Sequence, residues 1–294
     1  MGEAYYSASF GATPTRVTNF TIPSVQDPDH SILVFCACPH DATIESKLPI
    51  VFYFFGGGFI LGNVEGEIPY VRWLAQESEA VVCSIGYRLA PTYPYPAGVH
   101  DAIDASVAML EQKVSLESLL LSGIDYGRIA TWGTSAGGYM SAQTARRLTE
   151  RGYQLKCQVS IVPMAKPYGG TQSILKNWDD VWSGFHNTYA WTVYLAGDDG
   201  TLAADWRVSL LFDPPQEVVE RLPPTYIEIH SRDCLRDEGE TYANRLKEQG
   251  KLIELREYDV SHIGSLPNIA RGGSAEGADV HAASALKEHL HKED

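Results

Sequence analysis

Short unbroken runs of apolar residues alternate with helical stretches along most of this chain. The segments "RVTNFTI" at 16–22 and "SILVFCAC" at 31–38 read as two early strands forming a hairpin. The run "LPIVFYFF" at 48–55 is continuously apolar, which suits a sheet covered on both faces. A helix over about 66–79, the strand "AVVCSIGY" at 80–87, a helix over about 98–112, the strand "RIATWG" at 128–133 and a helix over about 136–151 follow in turn. "KCQVSIVPM" at 156–164 is the next strand, and the alternation resumes with "PTYIEIHS" at 224–231, a helix over about 237–249, "LIELREYDV" at 252–260 and a last helix over about 279–290. Strands separated by helices predict an α/β fold with a mostly parallel sheet, and such sheets carry their sites at the carboxyl ends of the strands.

The alternation lapses between about 165 and 222. That stretch carries Tyr168, Trp178, Trp182, Phe185, Tyr189, Trp191, Tyr194, Trp206 and Phe212, too much aromatic surface to leave in water and too irregular for a core strand. It reads as an inserted, aromatic-rich lid within a single domain spanning 1–294, since no fixed repeat and no long Pro/Gly/Ser linker divides the chain.

Composition narrows the partners. With 294 residues, 44% of them hydrophobic, the chain can bury one large core. A formal net charge of -14 argues against a nucleic-acid groove or an anionic membrane surface and favours a neutral or cationic small substrate. "GEAYYSASFGATPTR" after Met1 lacks the basic start and apolar run of a signal peptide, and no stretch is apolar enough to span a bilayer, so the expectation is a soluble, cytoplasmic protein. The five cysteines, 36, 38, 83, 157 and 234, sit mostly in apolar runs where thiols behave as small hydrophobes. Cys36 and Cys38 form a lone C-x-C, which is poor grounds for a metal, and no cofactor is expected. The sequon Asn19-Phe20-Thr21 carries little weight without a secretory route.

The strongest chemical signal is "TWGTSAGG" at 131–138, where Gly133 to Gly137 fills G-x-S-x-G between a predicted strand and a predicted helix. That context demands a sharp turn lifting the Ser135 hydroxyl above the sheet. A serine needs a base and an acid that orients it, in the order Ser, Asp or Glu, His. Asp233 follows one downstream strand and His262 the next. His230 lies inside a strand, His186 in the aromatic insertion, and His281, His289 and His291 on or after the last helix; Asp237 and Glu238 start a helix, where the dipole favours negative charge. The glycines of "FYFFGGGFILGN" at 52–63 then gain a purpose. Backbone N–H groups must approach an oxyanion to about 2.7–3.1 Å, and Gly56, Gly57 and Gly58 let a loop come that close, with the N–H of Ala136 beside them. A phosphate loop is excluded by the missing G-x-G-x-x-G and Lys-Ser/Thr.

"FGGGF", "YRLAPTYPYPAGVHDA" at 87–102, "GTSAGG", "LPPTYIEIHSRDCLRDEG" at 222–239 and "HIG" together resemble the hormone-sensitive-lipase-like carboxylesterase family of α/β-hydrolases over about 48–264. The resemblance implies Ser135 as nucleophile, His262 as general base, Asp233 as its orienting acid and Gly57, Gly58 and Ala136 as oxyanion donors. It implies hydrolysis of an ester or lactone through an acyl-enzyme, with Phe55, Phe59, Trp182, Phe185 and Trp191 as candidate pocket walls for an apolar or aromatic substrate. Two departures matter: Phe55 replaces the family histidine that opens the glycine loop, and only about twenty residues precede the first strand where the family has a longer cap. The pocket is then more open, or closed by 165–222 or by a second copy in a homodimer. A dehydratase or cyclase on the same scaffold is the alternative activity. A non-catalytic ligand-binding relative is disfavoured, because all three of Ser135, Asp233 and His262 are present.

Overall fold

The computed structural model describes residues 14–177, 182–196, 198, 200–262, 264 and 277–292. Among the described residues eight strands, β1 (Thr15–Pro23), β2 (Ser31–Pro39), β3 (Leu48–Phe54), β4 (Val81–Gly86), β5 (Ile124–Thr134), β6 (Leu155–Ile161), β7 (Thr225–Arg232) and β8 (Leu252–Ser261), form one sheet in the order β1-β2-β4-β3-β5-β6-β7-β8. β1 and β2 pair antiparallel as the expected hairpin, β2 pairs antiparallel with β4, and every later pairing is parallel. β3 is buried at all seven positions, which is why its sequence lacks the polar alternation of a one-faced strand.

Helices cover both faces. α1 (Val64–Ser78) and the last helix, α9 (Ala278–His291), pack on each other, while α2 (Ala97–Leu110) packs on α4 (Ala136–Glu150). α3 (Leu116–Leu120) is a short turn, and α8 (Arg236–Glu248) lies against β7 and β8. α1 starts where Asn63 accepts from the Gly66 N–H at 2.7 Å, with Glu65 and Glu67 in the first turn beside the positive end of the dipole. The "YRLAPTYPYPAGVHDA" segment is fixed by Arg88, whose Nε and backbone N–H each donate at 2.9 Å to the buried Asp101 carboxylate. Five donors in a rigid fork make arginine suited to such a clamp.

Between β6 and β7 run α5 (Gln172–Lys176), α6 (Gly184–Tyr194), a 3-10 turn (Leu202–Ala204) and α7 (Gln216–Val219). This segment is less irregular than its sequence implies, and its aromatics divide: Trp191 and Tyr194 are buried, whereas Tyr168, Phe185, Tyr189 and Phe212 are exposed. Trp178 lies outside the described residues. The segment is tied to the body through Arg146 of α4, whose buried guanidinium donates to the carbonyls of Trp206, Ser209, Leu210 and Phe212 at 2.9–3.3 Å. The Tyr95 N–H adds a 2.7 Å bond to the Tyr194 carbonyl. No described helix is long and apolar enough to cross a membrane.

Candidate active site

The turn between β5 and α4 puts Ser135 at φ 59° and ψ -120°. A non-glycine residue there stores about 1–3 kcal/mol of strain, so its surroundings must hold it. The Ser135 N–H donates to the Ile161 carbonyl at 2.8 Å, and the Ser135 carbonyl accepts from Tyr139 N–H at 3.1 Å and Met164 N–H at 3.2 Å. The glycines on either side are required by contact: a side chain on Gly133 would strike the Gly137 carbonyl, and one on Gly137 would meet the Phe55 carbonyl oxygen at 2.6 Å.

Ser135 Oγ lies 2.9 Å from His262 Nε2, and His262 Nδ1 lies 2.7 Å from Asp233 Oδ2. All three side chains are buried, Asp233 completely. A ring nitrogen facing a carboxylate carries the proton, which leaves the lone pair of Nε2 directed at the hydroxyl. Asp233 uses its second oxygen as well, since Oδ1 accepts from the Leu235 N–H at 3.0 Å just ahead of α8. One carboxylate oxygen thus ties Asp233 to the backbone of its own loop while the other meets the imidazole.

The glycine loop after β3 runs along the serine turn, because β3 and β5 are neighbours with Phe54 in register with Gly133. A Cβ on Gly56 would lie 3.0 Å from the Thr134 carbonyl oxygen and 3.5 Å from Ser135 Cβ. Gly57 and Gly58 have φ of 120° and 60°, a region that favours glycine, and the Gly57 carbonyl accepts from Ile60 N–H at 3.1 Å and Leu61 N–H at 2.9 Å. Ala136, the first residue of α4, follows the serine directly.

The aromatic candidates occupy different places. Trp182 stacks on the His262 ring with centroids 5.9 Å apart and on His186 at 5.7 Å, and its ring fills the space a Gly58 side chain would need. Phe59 and Trp191 are buried together, Phe59 stacking on Tyr194 at 4.0 Å and meeting Trp191 at 5.0 Å. Phe55 is 1% exposed and stacks on Tyr87 at 4.4 Å, while the Tyr87 hydroxyl donates to the Phe55 carbonyl at 2.7 Å. Phe185 is 59% exposed and meets the His186 ring edge-on at 5.9 Å. Of the motif "HIG", Ile263 lies outside the described residues. Among the described residues no three His, Cys, Asp or Glu side chains cluster as metal ligands. Cys36 and Cys38 are free and buried in β2.

Sequence reasoning passed over two carboxylates. Glu238, read as a helix-start charge, is buried, and Oε1 accepts from Ala165 N–H at 2.8 Å and Lys166 N–H at 3.2 Å. Burial pushes its pKa up to about 8 against the opposing pull of these two N–H groups. Glu228 sits buried beside His230, 3.0 Å from its Nε2. The i, i+2 spacing of Glu228 and His230 on a strand was the available signal, since it places both on one face.

A family model described as the alpha/beta hydrolase fold matches residues 51–264. The chain belongs to the α/β-hydrolase fold family. Within that family it falls on the hormone-sensitive-lipase-like side. It is 33% identical over 213 residues to an arylesterase of Saccharolobus solfataricus, covering 68% of this chain and 63% of the relative. It is 32% identical over 255 residues to the carboxylesterase NlhH of Mycobacterium tuberculosis, covering 84% of this chain and 76% of that one. The chain thus spans less than two thirds of the arylesterase's length. Among solved structures, a bacterial heroin esterase superposes with a TM-score of 0.86 at 26% identity, over 99% of this chain and 90% of the other. A Pyrobaculum calidifontis esterase gives 0.81 at 31% identity, over 97% and 91%. This α/β-hydrolase therefore shares its sheet with esterases along nearly its whole length.

Proposed function

We propose that this chain is a carboxylesterase-like serine hydrolase that cleaves a small, apolar or aromatic carboxylic ester or lactone. The observation that carries the reading is the unbroken relay from Ser135 Oγ through His262 to Asp233. In this reading the hydroxyl attacks the ester carbonyl carbon as its proton passes to His262 Nε2, and Asp233 stabilises the imidazolium. The oxyanion is held by the N–H groups of Gly57, Gly58 and Ala136. Its collapse expels the alcohol, which takes the proton from Nε2. Water then attacks the acyl-enzyme, gives a proton to Nε2, and the acid leaves as Ser135 regains its hydrogen.

The esterase relatives support the reaction class, Trp182 beside the His262 ring supports an apolar or aromatic substrate, and the charge of -14 disfavours only an anionic one. The lid role of 165–222 rests on its attachment through Arg146 and on Trp182 lying over the imidazole. The test is turnover of p-nitrophenyl acetate and labelling by a fluorophosphonate probe, each on the wild type and on Ser135→Ala. A variant that turns over and labels like the wild type refutes the assignment.

A further inference from the structure

Directly behind His262 lies a second, fully buried imidazole. His230 and Glu228 point to the same side of β7, and neither has any solvent exposure. His230 Nδ1 is 2.8 Å from the Ser261 carbonyl oxygen and 3.1 Å from that of His262, the residue that reaches Ser135. His230 Nε2 is 3.0 Å from Glu228 Oε1, and Glu228 Oε2 has no partner among the described residues, so within them the imidazole is this side chain's one hydrogen bond.

Hydrogen counting constrains this arrangement. Two carbonyls can only accept, so Nδ1 must carry hydrogen. A neutral ring of that tautomer would then oppose the Nε2 lone pair to a carboxylate oxygen at 3.0 Å. A second ring proton, on Nε2 and donated to Oε1, removes the conflict. Without it, the ring gains most by turning its single hydrogen toward Glu228, and Nδ1 then faces two carbonyls with nothing to donate.

We propose that His230, paired with Glu228, positions His262: the proton held between the two side chains commits Nδ1 to the Ser261 and His262 carbonyls and fixes the backbone from which the catalytic imidazole reaches Ser135 and Asp233. The kinetic consequence rests on the serine-hydrolase reading; the clamp itself does not. Burial lowers the proton affinity of His230, but the hydrogen bond and charge of Glu228, with a further contribution from Asp233, outweigh it, so its pKa is raised above the ordinary imidazole range. The other groups near the pair are Tyr226 on β7, Arg256 and Tyr258 on β8, Asp279 and His281 on α9, and Tyr70 on α1, which donates to Asp279 at 2.8 Å. Because the shift is upward, the clamp is intact through the ordinary imidazole range and is released as pH rises through the raised pKa of His230.

The experiment combines kinetics with 15N NMR of the histidine rings, using His230→Asn to assign the His230 signals. His230→Leu should lower kcat on p-nitrophenyl acetate about 10- to 100-fold with little change in KM, the scale expected when a reacting group is misplaced by about 1 Å. His230→Asn should recover most of that loss, because its amide nitrogen occupies nearly the position of Nδ1 and can donate to the same carbonyls. Glu228→Gln should cost less than His230→Leu and remove the alkaline decline of kcat, because a neutral amide can donate to Nε2 and hold the same tautomer at any pH. In the wild type both His230 nitrogens should remain protonated at a pH where free imidazole is neutral. Equal kcat losses in His230→Asn and His230→Leu, or a His230 that titrates near about 6.5, would overturn the proposal. If His230→Leu does not fold, Glu228→Gln and the NMR titration still decide it. Because the NMR arm needs no substrate, a failed hydrolase reading leaves its own mark, an inactive and unlabelled wild type with the clamp signals unchanged.

Discussion

Gly57→Ala tests the proposed oxyanion cradle most directly. The Cβ it adds would fall against the Leu61 carbonyl, 2.6 Å from the carbonyl carbon, where ordinary contact begins at 3.4 Å. The obstacle is backbone, held in place by the Leu61 N–H bond to the Gly57 carbonyl at 2.9 Å, so no side chain can swing aside. The loop must open by about 1 Å, and a displacement of that size at reacting groups costs about 100-fold in rate, or about 2.7 kcal/mol of barrier. Independently, an alanine forced to φ 120° destabilises the fold by about 1–3 kcal/mol. Gly152→Ala separates the two effects. Gly152 has φ 94° with nothing within 4 Å of its added Cβ, and it lies in the turn before β6, away from the serine. Both variants should melt earlier than wild type, but only Gly57→Ala should lose kcat/KM on p-nitrophenyl acetate and label more slowly with a fluorophosphonate. If Gly57→Ala keeps kcat/KM within about 3-fold of Gly152→Ala, its loss of barrier stabilisation is under about 0.7 kcal/mol and the loop is not the cradle.

Further outcomes follow from the same geometry. Asp233→Asn should lower kcat about 10^4-fold by admitting the wrong imidazole tautomer; steady-state turnover checks this, and a loss below about 10-fold would remove Asp233 from the relay. Glu238, with its pKa raised from 4.5 to about 8, favours folding below pH 4.5 and gives that stability up as pH climbs to about 8, because the unfolded chain ionises first. Glu238→Gln keeps an acceptor for Ala165 and Lys166 without the ionisation, so its Tm relative to wild type should rise by a few degrees, corresponding to a few kcal/mol, between pH 5 and 9. Parallel Tm curves would contradict this. Phe55→His should lower Tm while leaving the order of preference across a panel of acyl-length esters unchanged, since the ring lies against Tyr87; a changed order would put residue 55 in substrate selection.

The sheet was legible because buried parallel strands leave continuous apolar runs, and the seven fully covered positions of β3 are the plainest case. Ser135 was legible because only small residues survive where backbones touch, so Gly133 and Gly137 mark the turn in the sequence itself. Asp233 and His262 required topology, namely two successive strand ends emerging on the serine's side. The interior of 165–222 was harder to read. Trp191 and Phe185 occur in one helix with similar composition, yet one is buried and the other 59% exposed, a difference fixed by which face of α6 meets the body. Glu228, His230 and Glu238 were missed for a related reason: propensity rules treat a charged residue on a strand or at a helix start as solvated, and only three-dimensional packing reveals a partner that lets it be buried.

The end of β6 gives the site a fixed gauge. Ile161 takes the Ser135 N–H at 2.8 Å, and one residue later Val162 N–H reaches the Glu228 carbonyl on β7 at 2.9 Å. This single strand terminus spans the interval between the half of the molecule that bears the hydroxyl and the half that bears the imidazole and its acid. The spacing is thereby written into sheet hydrogen bonds rather than into the segment between β6 and β7. Substitutions within 165–222 that leave β6 and β7 paired should therefore leave the 2.9 Å separation of Ser135 Oγ and His262 Nε2 unchanged.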